Sequence, residues 1–174
     1  MPSILSGIFG KQWTIGDIMS IDGGRQSRAA GCSVSLVATY HELRKETILE
    51  KFKRFFTRRR DLLNAYYVIF KFQVISETGH SYTVVIRTQP DFNMSEYMSN
   101  TVQIFCSCPD FMYRSAWTLN QHGALFRSTG TDADLGSAIQ NAPAGKRGTS
   151  TLCKHAYAAL NYLVQNYSYL MGSL

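Results

Sequence analysis

Cys106-Ser107-Cys108-Pro109-Asp110-Phe111-Met112-Tyr113-Arg114 and, after an interval of forty-four residues behind Cys108, Leu152-Cys153-Lys154-His155 decide how this chain folds. Each stretch offers two metal-ligating side chains one residue apart. The first pair follows a strand-like run, Thr101 to Phe105. The second opens a helical one, Lys154 to Leu170, with Ala156, Leu160, Leu163, Tyr167 and Leu170 on one stripe. Pro109 suits the first position of a short helix, with Ser107 or Cys108 at its cap. Three Cys and one His are a standard donor set for tetrahedral zinc. Thiolates at a helix start also gain from its dipole, which favours the deprotonated, metal-binding form. Cys106, Cys108, Cys153 and His155 are therefore the expected ligands of one structural Zn2+, with His122 as an alternative to His155. Cys32 stands apart and reads as a small buried hydrophobe.

Working outward, the residues before Cys106 carry strand chemistry. Val68, Phe70, Phe72 and Val74 alternate with Ile69, Lys71, Gln73 and Ile75. Glu77-Thr78-Gly79-His80 supplies a turn, and Tyr82, Val84 and Ile86 continue the period of two. Pro90 to Ser99 is a connection to the third strand. A three-stranded antiparallel meander is the economical arrangement, because its first connection is hairpin-short. Further upstream, Thr39 and Glu42 have capping-box spacing, and Ile48, Leu49, Phe52, Phe55 and Phe56 recur at helical intervals. The reading is a basic helix from Thr39 to about Asn64. Its run Lys51, Lys53, Arg54, Arg58, Arg59 and Arg60 is the candidate contact with nucleic acid or a partner protein. The expected fold is thus α+β: a basic N-terminal helix, the meander, and a C-terminal helix joined to the sheet by zinc.

Residues 1–38 show no sustained period. They read as an irregular segment that either packs on the domain or reaches a neighbouring subunit as an arm. Residues 39–174 form the zinc-stabilised domain, with a Gly/Ser/Ala-rich loop insert at about 123–150. The chain has 174 residues, is 45% hydrophobic and carries a net charge of +6, values of a globular domain with a mild preference for anionic partners. No apolar run is long enough to span a bilayer, and residues 1–11 lack the features of a signal peptide. The expected setting is a cytoplasm-like compartment.

The pattern C-x-C followed far downstream by C-x-H at a helix start resembles the SWIM zinc finger, over roughly residues 66–165. That resemblance implies a module for DNA binding or protein–protein contact. The form with a long insert before Leu152-Cys153-Lys154-His155 is similar to proteins of tailed bacteriophages, often virion components. A non-enzymatic structural or assembly protein of such a particle, acting through other protein subunits, is the expectation; a nucleic-acid-binding module is the alternative. No enzyme is expected. The chain lacks a phosphate-cradling Gly-Lys-Thr loop, an H-E-x-x-H pair and a deaminase signature. Pro90-Asp91 and Pro109-Asp110 have no acidic residue followed two places on by Lys to complete a nuclease set.

Overall fold

The computed structural model describes residues 12–21, 29–43, 66–91, 93–127 and 151–172. Four antiparallel strands pair in sequence order: β1 (Ser33–Leu43), β2 (Tyr66–Ile75), β3 (Ser81–Thr88) and β4 (Val102–Cys106). The alternation in β2 and β3 works as expected. Val68, Phe70, Phe72 and Val74 face inward and pair across the ladder with Thr88, Ile86, Val84 and Tyr82. The β2–β3 turn is tight, Ser76 N–H donating to His80 O at 2.8 Å, and Gly79 supplies its left-handed residue at φ +81°, a conformation glycine adopts without steric cost.

Helix α4 (Lys154–Gln165) lies across the inner face, and Asn166 breaks it from α5 (Tyr167–Gly172). The stripe Ala156, Leu160, Leu163, Tyr167 and Leu170 is buried along its length. Phe72 meets Tyr162 edge-on at 5.9 Å. Two short helices complete the inner layer. In α1 (Ile15–Ile21), Ile15 and Ile18 are fully buried. In α2 (Met94–Met98), which Asn93 caps through Ser95 N–H, the buried Tyr97 lies 4.0 Å from the Tyr167 ring. After β4 the chain enters α3, π-helical over Phe111–Ser115 and α-helical over Ala116–Gln121. It stops at Gly123 (φ +62°), with Ala124 N–H donating to Leu119 O, the cross-bond of a glycine-terminated helix.

The sheet has four strands where three were expected. Residues 33–36 alternate, but a bulge between Leu36 and Ala38 shifts the register and leaves Val37 55% exposed. That extra residue destroys the period of two in the sequence. The Thr39 and Glu42 spacing is consequently not a helix start: Thr39 pairs with Phe70 and Glu42 with Tyr67. Glu42 instead accepts from Arg87 Nε at 2.7 Å; Arg87 also donates to Gln103 and covers the Tyr67 ring at 3.7 Å. One row of side chains thereby crosses all four strands on the outer face. The rest of the expected basic helix, with Lys51, Lys53, Arg54, Arg58, Arg59 and Arg60, lies outside the described residues. So do residues 128–150 of the expected insert. Within the segment 1–38 read as irregular, α1 and the first half of β1 are regular structure.

The two sheet edges are treated differently. Along β4, Val102 N–H donates to Trp13 O, Ile104 N–H to Ala124 O at 2.8 Å, and Phe126 N–H to Ile104 O at 3.0 Å. Residues 13–14 and 124–126 thus seal that edge. Along β1 the bulge interrupts the edge, a device that discourages pairing with another chain.

This division into an inner and an outer face makes a contrast that denaturant titration can read. Phe72→Ala, at a fully buried position, is expected to destabilise the metal-loaded protein by about 3–5 kcal/mol. Tyr40→Ala, on the outer face and 52% exposed, is expected to cost about 0.5 kcal/mol or less.

Candidate metal centre

The inner layer converges on one corner, where β4 ends and α4 begins. Cys106 is the last residue of β4 and opposes Val84, so its side chain faces inward with Val84 and Ile86. Ser107 then extends the β3–β4 ladder by one step. Its N–H donates to Thr83 O at 3.0 Å, and its Oγ accepts from Thr83 N–H at 3.0 Å. The serine side chain here takes the part of a strand carbonyl, and the bend that follows brings Cys108 to the same side as Cys106. Cys153 is the N-cap of α4, its Sγ accepting from Ala156 N–H at 3.3 Å. Cys108 makes the matching contact from Phe111 N–H, also 3.3 Å. Two helices therefore begin on a ligand sulfur, and each aims its positive end at the cluster.

The ligand atoms of Cys106, Cys108, Cys153 and His155 all lie within 4.8 Å of one another. A zinc tetrahedron with Zn–S of about 2.3 Å has S···S edges of about 3.8 Å, so the cluster is of the right size for a single ion. All four residues are buried, and none of the Cys is in a disulfide. Among the described residues, neither ring nitrogen of His155 has a hydrogen-bond partner. A buried polar atom without a partner is costly, and coordination to a metal satisfies one of the two. The donor set, its burial and the orphaned imidazole all fit one structural Zn2+.

The thiols are strongly interdependent. The Cys106 contact, followed by that from Cys153, pulls Cys108 far below the ordinary thiol range. The same contact with Cys108 pushes Cys106 up, and burial pushes Cys153 up. Burial and the mutual repulsion of three negative sulfurs at this separation oppose ionising all of them together in a poorly solvated space. A bound zinc ion would supply the charge that lets all three ionise.

His122, the alternative fourth ligand, is elsewhere: its ring stacks on Trp13 at 3.8 Å with a 7° interplanar angle. Cys32 is half-buried and outside the cluster. Of the basic residues flanking the centre, Arg114 pairs with Asp110 at 3.1 Å and Lys154 with Glu77 at 2.6 Å. The Lys154–Glu77 pair ties the start of α4 to the β2–β3 turn. Sequence reading found the ligands but passed over Tyr82, whose ring lies 4.4 Å from His155, and the bridging Ser107. Both had a signal. Tyr82 shares the inward phase of Val84 and Ile86, and Ser107 sits between two ligands.

The SWIM zinc finger family model matches residues 82–117 and 147–164. The two matched segments contain all four ligands as well as Tyr82 and Ser107. No curated protein and no solved structure matches the chain.

Native mass spectrometry is expected to show one zinc per chain in wild type and none in Cys106→Ser; a stable, metal-free wild-type protein would refute the assignment. The Cys108 contact pushes the Cys106 thiol up and burial pushes Cys153 up, so zinc uptake is expected to release protons and tighten as pH rises. Chelator competition between about pH 6 and 8 should show affinity climbing throughout that range, by about tenfold per pH unit for each proton released.

Proposed function

We propose that this chain is a non-enzymatic structural or assembly protein, in which zinc holds a small α+β domain together and the outward surfaces contact other protein subunits. The observation that carries the reading is the closure of the metal site. Four protein side chains are placed to ligate one ion, which is the full set that structural zinc takes, whereas catalytic zinc needs a position left open for water or substrate. Cys106 and Cys153 have no exposed surface, so a substrate has no approach to the metal along them. The outside of the domain is richer in contact chemistry. Val37, Tyr40, Ile75, Tyr113 and Tyr169 are large apolar or aromatic residues with at least two-fifths of their surface exposed, and tyrosine is favoured in protein interfaces. The forty-four residues between Cys108 and Cys153 are the feature from which we infer a component of a tailed-bacteriophage particle. A virion or the host cytoplasm is the setting we propose; among the described residues no helix is long and apolar enough to cross a membrane.

A second reading rests on one specific feature, the run from Lys51 to Arg60 within a chain of net charge +6. On that reading the chain is a nucleic-acid-binding module, and Lys51, Lys53, Arg54, Arg58, Arg59 and Arg60 contact phosphate.

Co-purification from the native source, with cross-linking, separates the two. An assembly protein is expected to bring down defined protein neighbours in fixed ratio, with contacts unchanged by nuclease. A chain that stays monomeric and captures no particle component would overturn the first reading. For the second, DNA affinity should fall steeply with salt, and the triple change Arg58→Ala, Arg59→Ala, Arg60→Ala should lower the slope of log K against log salt by about 2–3. An unchanged slope would remove the basic run from consideration.

A further inference from the structure

A metal-binding histidine ordinarily donates its second ring N–H to a carboxylate, a backbone carbonyl or water, and that bond fixes both the tautomer and the plane of the ring. Among the described residues no carboxylate or backbone carbonyl accepts from His155, and both of its ring nitrogens are buried. Coordination accounts for one nitrogen and leaves the other without an acceptor. The Glu77 carboxylate, on the β2–β3 turn, already accepts from Lys154 Nζ at 2.6 Å. The ring is instead held by another ring. Tyr82 packs on it with centroids 4.4 Å apart and a 39° tilt.

Tyr82 is well placed for this. It sits near the start of β3, paired with Val74 across the ladder, and the neighbouring Thr83 is locked on both its N–H and its C=O by Ser107. The strand that carries Tyr82 is thus tied directly to the residue between Cys106 and Cys108. Its other aromatic neighbour, His80, is more distant at 6.5 Å and lies in the exposed turn. Offset and tilted aromatic contacts have a preferred geometry, so a ring anchored in the sheet constrains the orientation of the imidazole it touches.

We propose that Tyr82 is the positioning residue for the metal-binding imidazole, orienting the His155 ring by aromatic contact in place of the usual hydrogen bond. Tyr82 touches neither the metal nor a sulfur in this role. It acts through His155 alone, and the other three ligands are indifferent to it. The inference rests on the metal reading of the cluster, and the wild-type protein tests that reading first.

The experiment uses the full chain loaded with Co2+ or Zn2+, with affinity from chelator competition and the ligand field from the visible Co2+ spectrum. Wild type that binds neither ion would overturn the metal reading itself. Given binding, Tyr82→Phe keeps the ring and is expected to match wild type in affinity and spectrum. Tyr82→Leu keeps bulk without a ring and is expected to weaken binding by about tenfold, the low end for an outer partner of a ligand, with altered Co2+ bands. In a His155→Cys background, where a sulfur has no ring plane to orient, Tyr82→Leu is expected to change neither readout. Tyr82→Leu indistinguishable from wild type would overturn the proposal. So would an equal loss in the His155→Cys background, which would make Tyr82 a packing residue only. If His155→Cys fails to bind metal, the contrast of Tyr82→Phe with Tyr82→Leu in the Co2+ spectrum decides alone.

Discussion

Four side chains from two separate stretches of the chain meet in one buried corner, and the rest of the domain is arranged around that meeting. Cys106 and Cys108 close the sheet; Cys153 and His155 open the helix that covers it. Structural zinc in finger peptides binds with apparent free energies of about 10–16 kcal/mol at neutral pH. A whole domain is stable by about 5–15 kcal/mol. The joint between β4 and α4 is therefore comparable to the net stability of the molecule, even though the sheet and α4 share an apolar core of their own. The sulfurs also hold the two helices that start on them, since Cys108 and Cys153 accept the first free amides of α3 and α4. Coordination, capping and core packing are one cooperative unit here, not three separate contributions.

Around this joint, the sheet solves its edge problem in two ways. The metal-side edge, β4, is covered by main chain from both before and after it, at residues 13–14 and 124–126. The far edge, β1, carries the bulge at Val37 instead. The difference is physically apt. Slippage of β4 by one residue would turn Cys106 from the inner to the outer face and dismantle the site, so its register is fixed from both sides. β1 bears no ligand and tolerates an irregularity.

Much of this is legible in the residues. The ligands are close to unmistakable, because two C-x-C/H pairs at element ends rarely arise without a metal to hold. The β2–β3 hairpin and the stripe of α4 follow from undisturbed periods of two and about four. What the sequence hides has identifiable causes. In β1 a single extra residue breaks the alternation, and the Thr39/Glu42 spacing then imitates a helix cap. Local spacing alone does not distinguish a capping pair from two strand residues when the second is satisfied by Arg87, forty-five positions away. Helices α1 and α2 have seven and five residues, too short for a helical period to emerge. The roles of Tyr82 and Ser107 depend on register between strands, which no single segment reveals.

The return of the chain to β4 after α3 has an effect on how this molecule can change over time. Ala124 to Phe126 are bonded into the sheet edge, and Thr151 and Leu152 are buried just ahead of the metal-binding Cys153. Whatever lies between is attached at both ends to the most strongly held part of the domain. The entropy of closing a flexible chain between two fixed points rises only with the logarithm of its length, about 0.6 kcal/mol for each doubling. Chain closure alone therefore sets only a small cost on a change in the number of residues between these two anchors, each of which is held by its own bonds.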